Sequence, residues 1–456
     1  MKKALLILGI GVLGLQASSL KDLVENATID GYARGKYTIT EGHDGFGKGY
    51  QVFLRPNVTT GEVEGFSFTG GLFFSKGSGA PDGNTSDDAI GGSRGFKGAG
   101  DIFGVSNLYV TKKFDTAKTL VRVGAMQIIT PLNDGTTWGD RGLGAMVSNK
   151  SLAGMEFQAL AFDSWMTDNI AVQTGANKEG RGIGNDLFML GAKGNFEFAG
   201  LKDLSATLYY GYADKLFDAM LFADLGYDLA LGDVKLKFLG QVATTMMNKN
   251  PNFRSGGKKD DNVLIDYFTA GIQNLGKGVE LANTRGLYNL KIAVSMKDYS
   301  GDVGFAGSFG EGYGVLLDGK GAFSVGGKLW NAVTPGGQAG FGWTGTGSIK
   351  GTDIIVAYTT HSYKIDKWKV GVDLVYVGGN NRMPFMARGG DKIPTSENGG
   401  SSVVGKKNKT KDSDIFEISP QVTYQVNKQF SVNFTYSQLF GDMSLGRGVV
   451  TLLYNF

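Results

Sequence analysis

The sequence of 456 residues contains no cysteine, two histidines and eight prolines. Without cysteine the chain has neither a disulfide framework nor a thiolate metal site. No Ser–His constellation of the kind that an outer-membrane hydrolase needs is evident around His43 or His361. The formal net charge of +3 is nearly balanced, which argues against a nucleic-acid-binding protein. These absences favour a protein that is not an enzyme.

The chain also lacks long apolar runs, apart from a short one at its start. Lys2 and Lys3 precede an apolar stretch from Ala4 to Leu15, and a small-residue cleavage pattern follows near Ala17. This stretch is shorter than the about 20 residues of a membrane-spanning helix. We therefore predict a secretory signal peptide over residues 1–17 and one exported domain over residues 18–456, which is either periplasmic and soluble or a β-barrel.

What the sequence has instead is glycine, with 73 residues, and apolar residues spread evenly in period-two patterns. In residues 416–426, for example, Phe416, Ile418 and Val422 alternate with Glu417, Ser419 and Gln421. Strands with one apolar and one polar face are typical of an outer-membrane barrel, whose outside meets lipid and whose inside meets water. Their length is also near the roughly 9–11 residues that a tilted membrane strand needs.

Short and long connections alternate along the chain, as they do between the two rims of a porin. The prediction is therefore an all-β, transmembrane, antiparallel up-and-down barrel of 18 strands, with 16–20 allowed, long extracellular loops and short periplasmic turns. Residues 299–351 are assigned to a long loop with room for a further hairpin. The predicted strands span residues 28–39, 50–59, 66–75, 105–114, 120–130, 144–150, 154–163, 186–197, 205–213, 219–229, 234–245, 262–273, 287–297, 352–363, 368–377, 414–426, 430–440 and 448–456.

The last strand ends on an aromatic residue. Tyr454 and Phe456 share the apolar parity of GVVTLLYNF, so we predict that this strand closes the ring against Thr28–Ile39 with its last side chain facing lipid. An aromatic residue there also matches the signal that barrel-assembly machinery reads on its clients. Tyr454 and Phe456 are therefore predicted to form the membrane-insertion signal.

Four segments resemble the major outer membrane porins of Campylobacter and related bacteria. They are residues 147–166 (VSNKSLAGMEFQALAFDSWM), residues 22–37 (DLVENATIDGYARGKY), residues 367–379 (KWKVGVDLVYVGG) and the terminal LYNF. The resemblance implies an 18-stranded barrel, a homotrimer, and general diffusion of small hydrophilic solutes and ions, often favouring cations. OprD-type porins share the strand number and the N-terminal pattern, so they remain an alternative relationship.

In such a channel, fixed charges in the lumen set the selectivity. Each basic residue with inward parity is a candidate for the pore wall, although it is equally compatible with a rim position or a local ion pair. These residues are Arg34, Lys36, Arg55, Arg122, Lys235, Lys237 and Lys291.

The loop Pro131–Leu143 is the predicted constriction. Asp134 and Asp140 would be its acidic residues, Asp163 matches the family motif at the top of the next ascending strand, and Glu156 lies lower on that strand. The resemblance also implies that Asp134, Asp140 and Asp163 hold Ca²⁺, which takes about six to eight oxygen ligands. The alternative is that the two loop aspartates are solvated turn residues.

We therefore predict a passive, cation-preferring porin that lies in the outer membrane of a Gram-negative bacterium and requires no cofactor. A substrate-specific OprD-like channel for small anionic or zwitterionic solutes is the alternative, and a basic ladder down one wall would distinguish it. The expected partners are two further copies of the chain, outer-membrane lipid and barrel-assembly machinery. Lysines and arginines within residues 378–412 add lipopolysaccharide as a partner of that loop, or else form a solvated surface.

Overall fold

In the computed structural model, hydrogen-bonded antiparallel strands close into a single ring. The structure describes residues 17–42, 45–78, 101–133, 140–166, 171–172, 186–198, 201–214, 216–248, 282–317, 321–330, 341–343, 346–381, 411–441 and 444–456. The predicted signal peptide lies outside these ranges, except for Ala17. Within them, no helix is long and apolar enough to cross a membrane.

The ring consists of eighteen strands, each paired with its neighbours in sequence. A two-residue strand, Ala171–Val172, pairs only with the end of β7. The strands are β1 Thr28–Gly42, β2 Gly45–Thr59, β3 Phe66–Ser78, β4 Asp101–Phe114, β5 Thr119–Gln127, β6 Arg141–Asn149, β7 Met155–Met166, β8 Leu187–Phe198, β9 Leu201–Ala213, β10 Phe217–Leu231, β11 Val234–Met247, β12 Thr284–Met296, β13 Tyr299–Gly310, β14 Ile355–Ile365, β15 Trp368–Asn381, β16 Lys411–Gln425, β17 Phe430–Gly441 and β18 Leu445–Asn455.

The ring closes where β1 pairs with β18. Their register runs from Tyr32 opposite Asn455 to Gly42 opposite Leu445. Beyond it, Gly31 and Phe456 exchange both backbone hydrogen bonds, each 3.0 Å long. The predicted barrel, its strand number and its closure are therefore confirmed.

One predicted strand is wrong in position. The structure has β13 at residues 299–310, inside the stretch assigned to a long loop. The predicted strand 262–273 lies outside the described residues, and β11 pairs directly with β12 without it. The total of eighteen is nevertheless correct, because β13 takes the place of that strand in the ring.

Period-two patterning gives the barrel an apolar outer belt. On β12 and β13, for example, Leu290 and Val303 expose 58% and 57% of their surface. Aromatic side chains lie near the short-turn rim, where the rings of Trp368 and Tyr424 are 4.6 Å apart. Such a belt with aromatic residues at its edge is the surface of a barrel that spans a lipid bilayer.

A short helix, α1 (Ala17–Glu25), precedes the barrel. The amide of Gly61, in the connection from β2 to β3, donates to the carbonyl of Leu23 over 2.8 Å. This bond fixes the helix at the short-turn rim, next to the start of β1.

Candidate functional site

The inside of the barrel is partly filled by the connection between β13 and β14. Residues 311–354, called the inner loop here, carry five large aromatic side chains that are at most 4% exposed: Tyr313, Phe323, Trp330, Phe341 and Trp343. The Phe341 ring lies in the middle of this group, 6.3 Å from Tyr313, 6.0 Å from Phe323 and 5.7 Å from Trp330. An 18-stranded barrel is wide enough for an aqueous channel, so the inner loop narrows it.

The inner loop also packs against inward-facing side chains of the wall. Phe323 meets Phe222 of β10 edge-on at 5.6 Å, and Trp343 lies 6.1 Å from Phe217 and 6.3 Å from Trp165. These contacts form one apolar cluster with buried residues of most strands. The loop is thus packed like a protein core on the side of β7–β11.

Glu417 on β16 fixes one segment of the inner loop by its carboxylate. It is 1% exposed and accepts hydrogen bonds from the successive amides of Lys328 (2.5 Å), Leu329 (3.1 Å) and Trp330 (2.7 Å). Asp373 on β15 accepts from the amide of Gly327 over 3.0 Å. Charged acceptors make the stronger kind of hydrogen bond, so two wall carboxylates hold this part of the backbone.

Next to it, side chains of β11, β12 and β14 form a closed polar network. Gln241 donates to the carbonyl of Ala322 (2.8 Å) and accepts from the amide of Ser324 (3.0 Å) and from Asn289 (2.9 Å). The Tyr358 hydroxyl contacts the Asn289 side chain at 2.9 Å and the Ser324 carbonyl at 2.8 Å. A fully satisfied buried network of this kind specifies one position of the loop.

Arg285 of β12 also holds the inner loop in position, near the long-loop rim. It is 1% exposed, and its guanidinium donates to the carbonyls of Ala282 (2.9 Å), Gly314 (3.1 Å) and Trp343 (2.5 Å). Two of these acceptors belong to separate parts of the inner loop. Arg285 therefore joins those parts to the wall through backbone oxygens.

The structure describes the two ends of the predicted constriction loop, residues 131–133 and 140–143. Residues 141–143 belong to β6, and Asn133 closes a turn by donating to the carbonyl of Ile128 over 2.6 Å. The buried Leu132 accepts from the amide of Leu317 over 2.7 Å. Residues 128–133 thus dock on the inner loop from the other side. Residues 134–139 lie outside the described residues, so the constriction by residues 131–143 stays a prediction; the inner loop is a further segment that narrows the lumen.

The three predicted acidic residues that the structure describes, Asp140, Glu156 and Asp163, do not form a cluster that could hold a metal ion. Asp134 is outside the described residues, and Asp140 is buried, with 2% of its surface exposed. Asp163 is the extra residue of a bulge, since Leu143 pairs with Ser164 and Gly144 with Phe162. A methyl group on Gly144 would lie 2.0 Å from the carbonyl of Ala161, which explains why glycine occupies this close approach.

Asp163 is exposed near the long-loop rim. There the negative charges of Asp163 and Asp214 repel that of Asp186, the residue before β8. Partial burial and these two carboxylates raise the pKa of Asp186 above its ordinary value.

Glu156 faces inward and is neutralised locally. It accepts from Ser148 (2.9 Å) and Gln158 (2.8 Å), and Lys193 and Lys150 lie 3.3 and 3.5 Å away. Within the described part of the chain, no three His, Cys, Asp or Glu side chains are close enough to hold a metal ion. The calcium site also involves Asp134, so it stays a prediction.

Four of the predicted basic residues lie on one wall, called the basic wall here: Arg34, Lys36, Arg55 and Arg122. Their positions share the parity of the buried Thr38 on β1, of Gln51 and Phe53 on β2, and of Met126 on β5. Arg34 donates to Gln51 over 2.6 Å and lies 5.8 Å from the ring of Phe53.

The other two arginines of the basic wall keep a donor without an acceptor. Arg55 is 6% exposed, and its Nε atom has no hydrogen-bond partner in the described chain; the same holds for Nε of Arg122, which lies 5.2 Å from the Tyr109 ring. Arg141, which the sequence did not single out, lies 4.7 Å from the Phe73 ring. Arginines and aromatic rings therefore alternate on this side of the lumen.

The remaining predicted lysines lie on the opposite side, and two of them have carboxylate partners. Lys237 of β11 is 3.8 Å from Asp228, and Lys291 of β12 is 3.8 Å from Asp302 and also donates to Ser324. Lys235 shares the parity of Lys237, and both line a cavity at the short-turn end of the barrel. Sequence reasoning missed Asp302, Asp373 and Glu417, although their inward parity was a signal that could have identified them.

The lumen thus has a basic wall on β1–β5 and, facing it, an inner loop held by carboxylates of β15 and β16. This is the geometry of a water-filled channel narrowed by loops, whose charges differ from side to side.

Comparison with known structures agrees with this fold. The chain is similar to Acinetobacter baumannii OccAB1 (TM-score 0.63, 15% identity, 96% of this chain and 98% of that chain covered). It is also similar to Pseudomonas aeruginosa OccK2 (OpdF) (TM-score 0.62, 11% identity, 95% and 98% covered) and OccK5 (OpdH) (TM-score 0.59, 10% identity, 95% and 99% covered). No family model matches the chain, and no curated protein matches it either.

These neighbours are of the OprD type. They support the alternative relationship from the sequence, and they give no support to the resemblance to Campylobacter porins. At this level of sequence identity the likeness shows the fold alone.

Proposed function

We propose that this protein is an outer-membrane channel through which small hydrophilic solutes diffuse passively, with a preference for anionic solutes. The closed barrel with an apolar belt supports the membrane location, and the partly filled lumen supports a diffusion channel rather than an enzyme. The channel fold of the structural neighbours supports the same function.

The observation that carries the anion preference is the basic wall. Arg55 and Arg122 each keep a buried Nε donor without a protein acceptor in the described chain. Buried donors are rarely left unsatisfied, and a guanidinium fits a carboxylate with two parallel hydrogen bonds. A passing carboxylate solute is attracted by the positive charges of Arg55 and Arg122, which no carboxylate of the described chain neutralises.

Cation preference is the second candidate, as the sequence suggested. Asp302 and Asp373 line the lumen wall opposite the arginines and favour it. Against it, each of these carboxylates already has a lysine within 4 Å: Lys291 at 3.8 Å and Lys328 at 3.4 Å. Arg55 and Arg122 are therefore less compensated than these two carboxylates.

Reversal potentials in a potassium chloride gradient test the preference. In planar bilayers we expect the wild type to favour chloride. The triple variant Arg34→Gln, Arg55→Gln, Arg122→Gln should lose most of that preference, because each change removes a fixed positive charge from the lumen.

The control removes three positive charges outside the lumen, from the short turns: Lys118→Gln, Lys367→Gln, Lys428→Gln. It should leave the reversal potential unchanged. A wild-type channel that favours potassium would support the second candidate and contradict the anion preference.

A further inference from the structure

A second polar surface lies inside the barrel, away from the basic wall. At the short-turn end, the strands β9–β16 and residues 324–328 of the inner loop enclose a cavity of about 790 Å³, called the rim pocket here. This volume lies within the range of about 300–1,000 Å³ that is typical of small-molecule sites.

The charges around the rim pocket compensate one another almost completely. Its described lining contains four lysines and four aspartates. Two pairs lie within it: Lys237 and Asp228 at 3.8 Å, and Lys328 and Asp373 at 3.4 Å. A third, Lys291 and Asp302 at 3.8 Å, borders it. With Lys291 counted beside the four lining lysines and four aspartates, the formal net charge around the rim pocket is +1, and three ion pairs compensate most of the charges. The rim pocket therefore attracts ions less than the basic wall does.

Hydroxyl groups line the same surface on adjacent strands. Ser300 of β13 and Ser362 of β14 face each other, with their Oγ atoms 2.7 Å apart. One register step away, Thr360 donates to Asp302 over 2.9 Å. Ser295 and Ser324 complete the set. Side by side, these groups offer both donors and acceptors, since a hydroxyl can do either.

The rim pocket is preformed, because its roof is fixed. Ser324 is held by Gln241 and Tyr358, and Gly327 by Asp373. A ligand would therefore not have to order the loop on binding, which is one of the main costs of association.

We propose that the rim pocket binds neutral polyhydroxylated solutes, such as small saccharides, at the periplasmic end of the proposed channel. Sugar hydroxyls can donate to Asp302 and accept from whichever of Ser300 and Ser362 does not donate to the other, without separating any ion pair. An anion or a zwitterion would have to compete with the lysine–aspartate pairs already present. The inference rests on the proposed function, because the pocket lies on the diffusion path.

Sucrose is a suitable probe, with two readouts. Saturation-transfer NMR with the full-length protein in detergent measures binding without any need for conduction. Interruptions of the single-channel current measure binding along the path. We expect sucrose to give both signals. The double variant Ser300→Ala, Ser362→Ala should weaken binding about tenfold, a loss on the scale of one or two hydrogen bonds.

The matched control is Thr435→Ala, which also removes an inward hydroxyl but on β17, outside the rim pocket. It should leave sucrose binding unchanged. The proposal is overturned if sucrose gives no NMR signal, if the control loses as much affinity as the double variant, or if glycine binds and sucrose does not. A protein that conducts chloride but does not bind sucrose refutes the rim pocket alone, whereas a protein without conductance refutes the proposed channel.

Discussion

In this barrel, the odd or even position of a residue in its strand determines whether its side chain faces the lipid outside or the water and protein inside. Tyr37 exposes 43% of its surface on the outside of β1, while Arg34 on the same strand faces the lumen. Arg285 is buried, and backbone carbonyls and the hydroxyl of Ser348 accept hydrogen bonds from its Nε and Nη1 atoms. Leaving a buried charge without such partners is strongly destabilising. Arg285 therefore needs the acceptors on the inner loop to stay buried at this position.

The raised pKa of Asp186 predicts a pH-dependent effect on stability. Its ionised form is disfavoured in the folded state by partial burial and by the negative charges of Asp163 and Asp214. This penalty is present above the folded-state pKa and disappears as the pH falls below the unfolded-state value. Asp186→Asn should therefore raise the free energy of unfolding at neutral pH, by no more than about 0.5 kcal/mol because exposed charges are screened.

Urea unfolding of the protein in lipid vesicles, at neutral pH and near pH 3, measures this effect. The gain should be absent at the lower pH. Asp203→Asn, at the opposite rim, serves as the control. A gain of equal size at both pH values would contradict the role of the aspartate cluster.

At the scale of elements, the position of the inner loop depends on a few wall residues. Glu417 alone accepts three successive amides. Glu417→Ala should leave these amides unpaired, release the segment around Lys328–Trp330, and raise the single-channel conductance severalfold. Buried donors that lose their acceptor cost about 1–3 kcal/mol each, so the present position would no longer be the most stable one.

Conductance in planar bilayers tests this release. Glu197→Ala removes the same charge from an exposed position on β8 and should leave the conductance unchanged. Equal conductance in wild type and Glu417→Ala would show that the apolar packing of Phe341 and its neighbours suffices to hold the loop.

The strands were largely predictable from the sequence because period-two alternation is a local property. β13 was missed because glycines 301 and 307 interrupt its outer face. On the neighbouring strand the Tyr288 hydroxyl lies over Gly307, 2.6 Å from where a methyl group would be. The Tyr288 side chain thus covers the position of Gly307. The outer surface of the barrel is continuous there, although the alternation of apolar residues in β13 is interrupted.

The inner loop was not predictable in the same way. Its apolar residues have no period, and their partners Phe222 and Glu417 lie far away in the chain. The parity argument did place Arg34, Arg55 and Arg122 on the inside. Parity could not show which carboxylates pair with Lys237 and Lys291, because the partners depend on which strands lie side by side.

For the whole molecule, we propose assembly into a homotrimer, as the sequence resemblance implies. Three channels that insert together should close in three equal steps of conductance in planar bilayers. Chemical cross-linking in native membranes should give a species with three times the mass of the monomer. Single steps together with a monomer after cross-linking would contradict this assembly.

The pairing of β1 with β18 also has a consequence for biogenesis. All other ring pairings join strands that follow each other in the chain, and each can form as a local hairpin. This last one joins opposite ends of the polypeptide, and the entropic cost of such a contact comes before any gain from it. Until it forms, the nascent sheet carries two unsatisfied edges, which in water are templates for aggregation. The late intermediate should therefore be the species that most needs a chaperone.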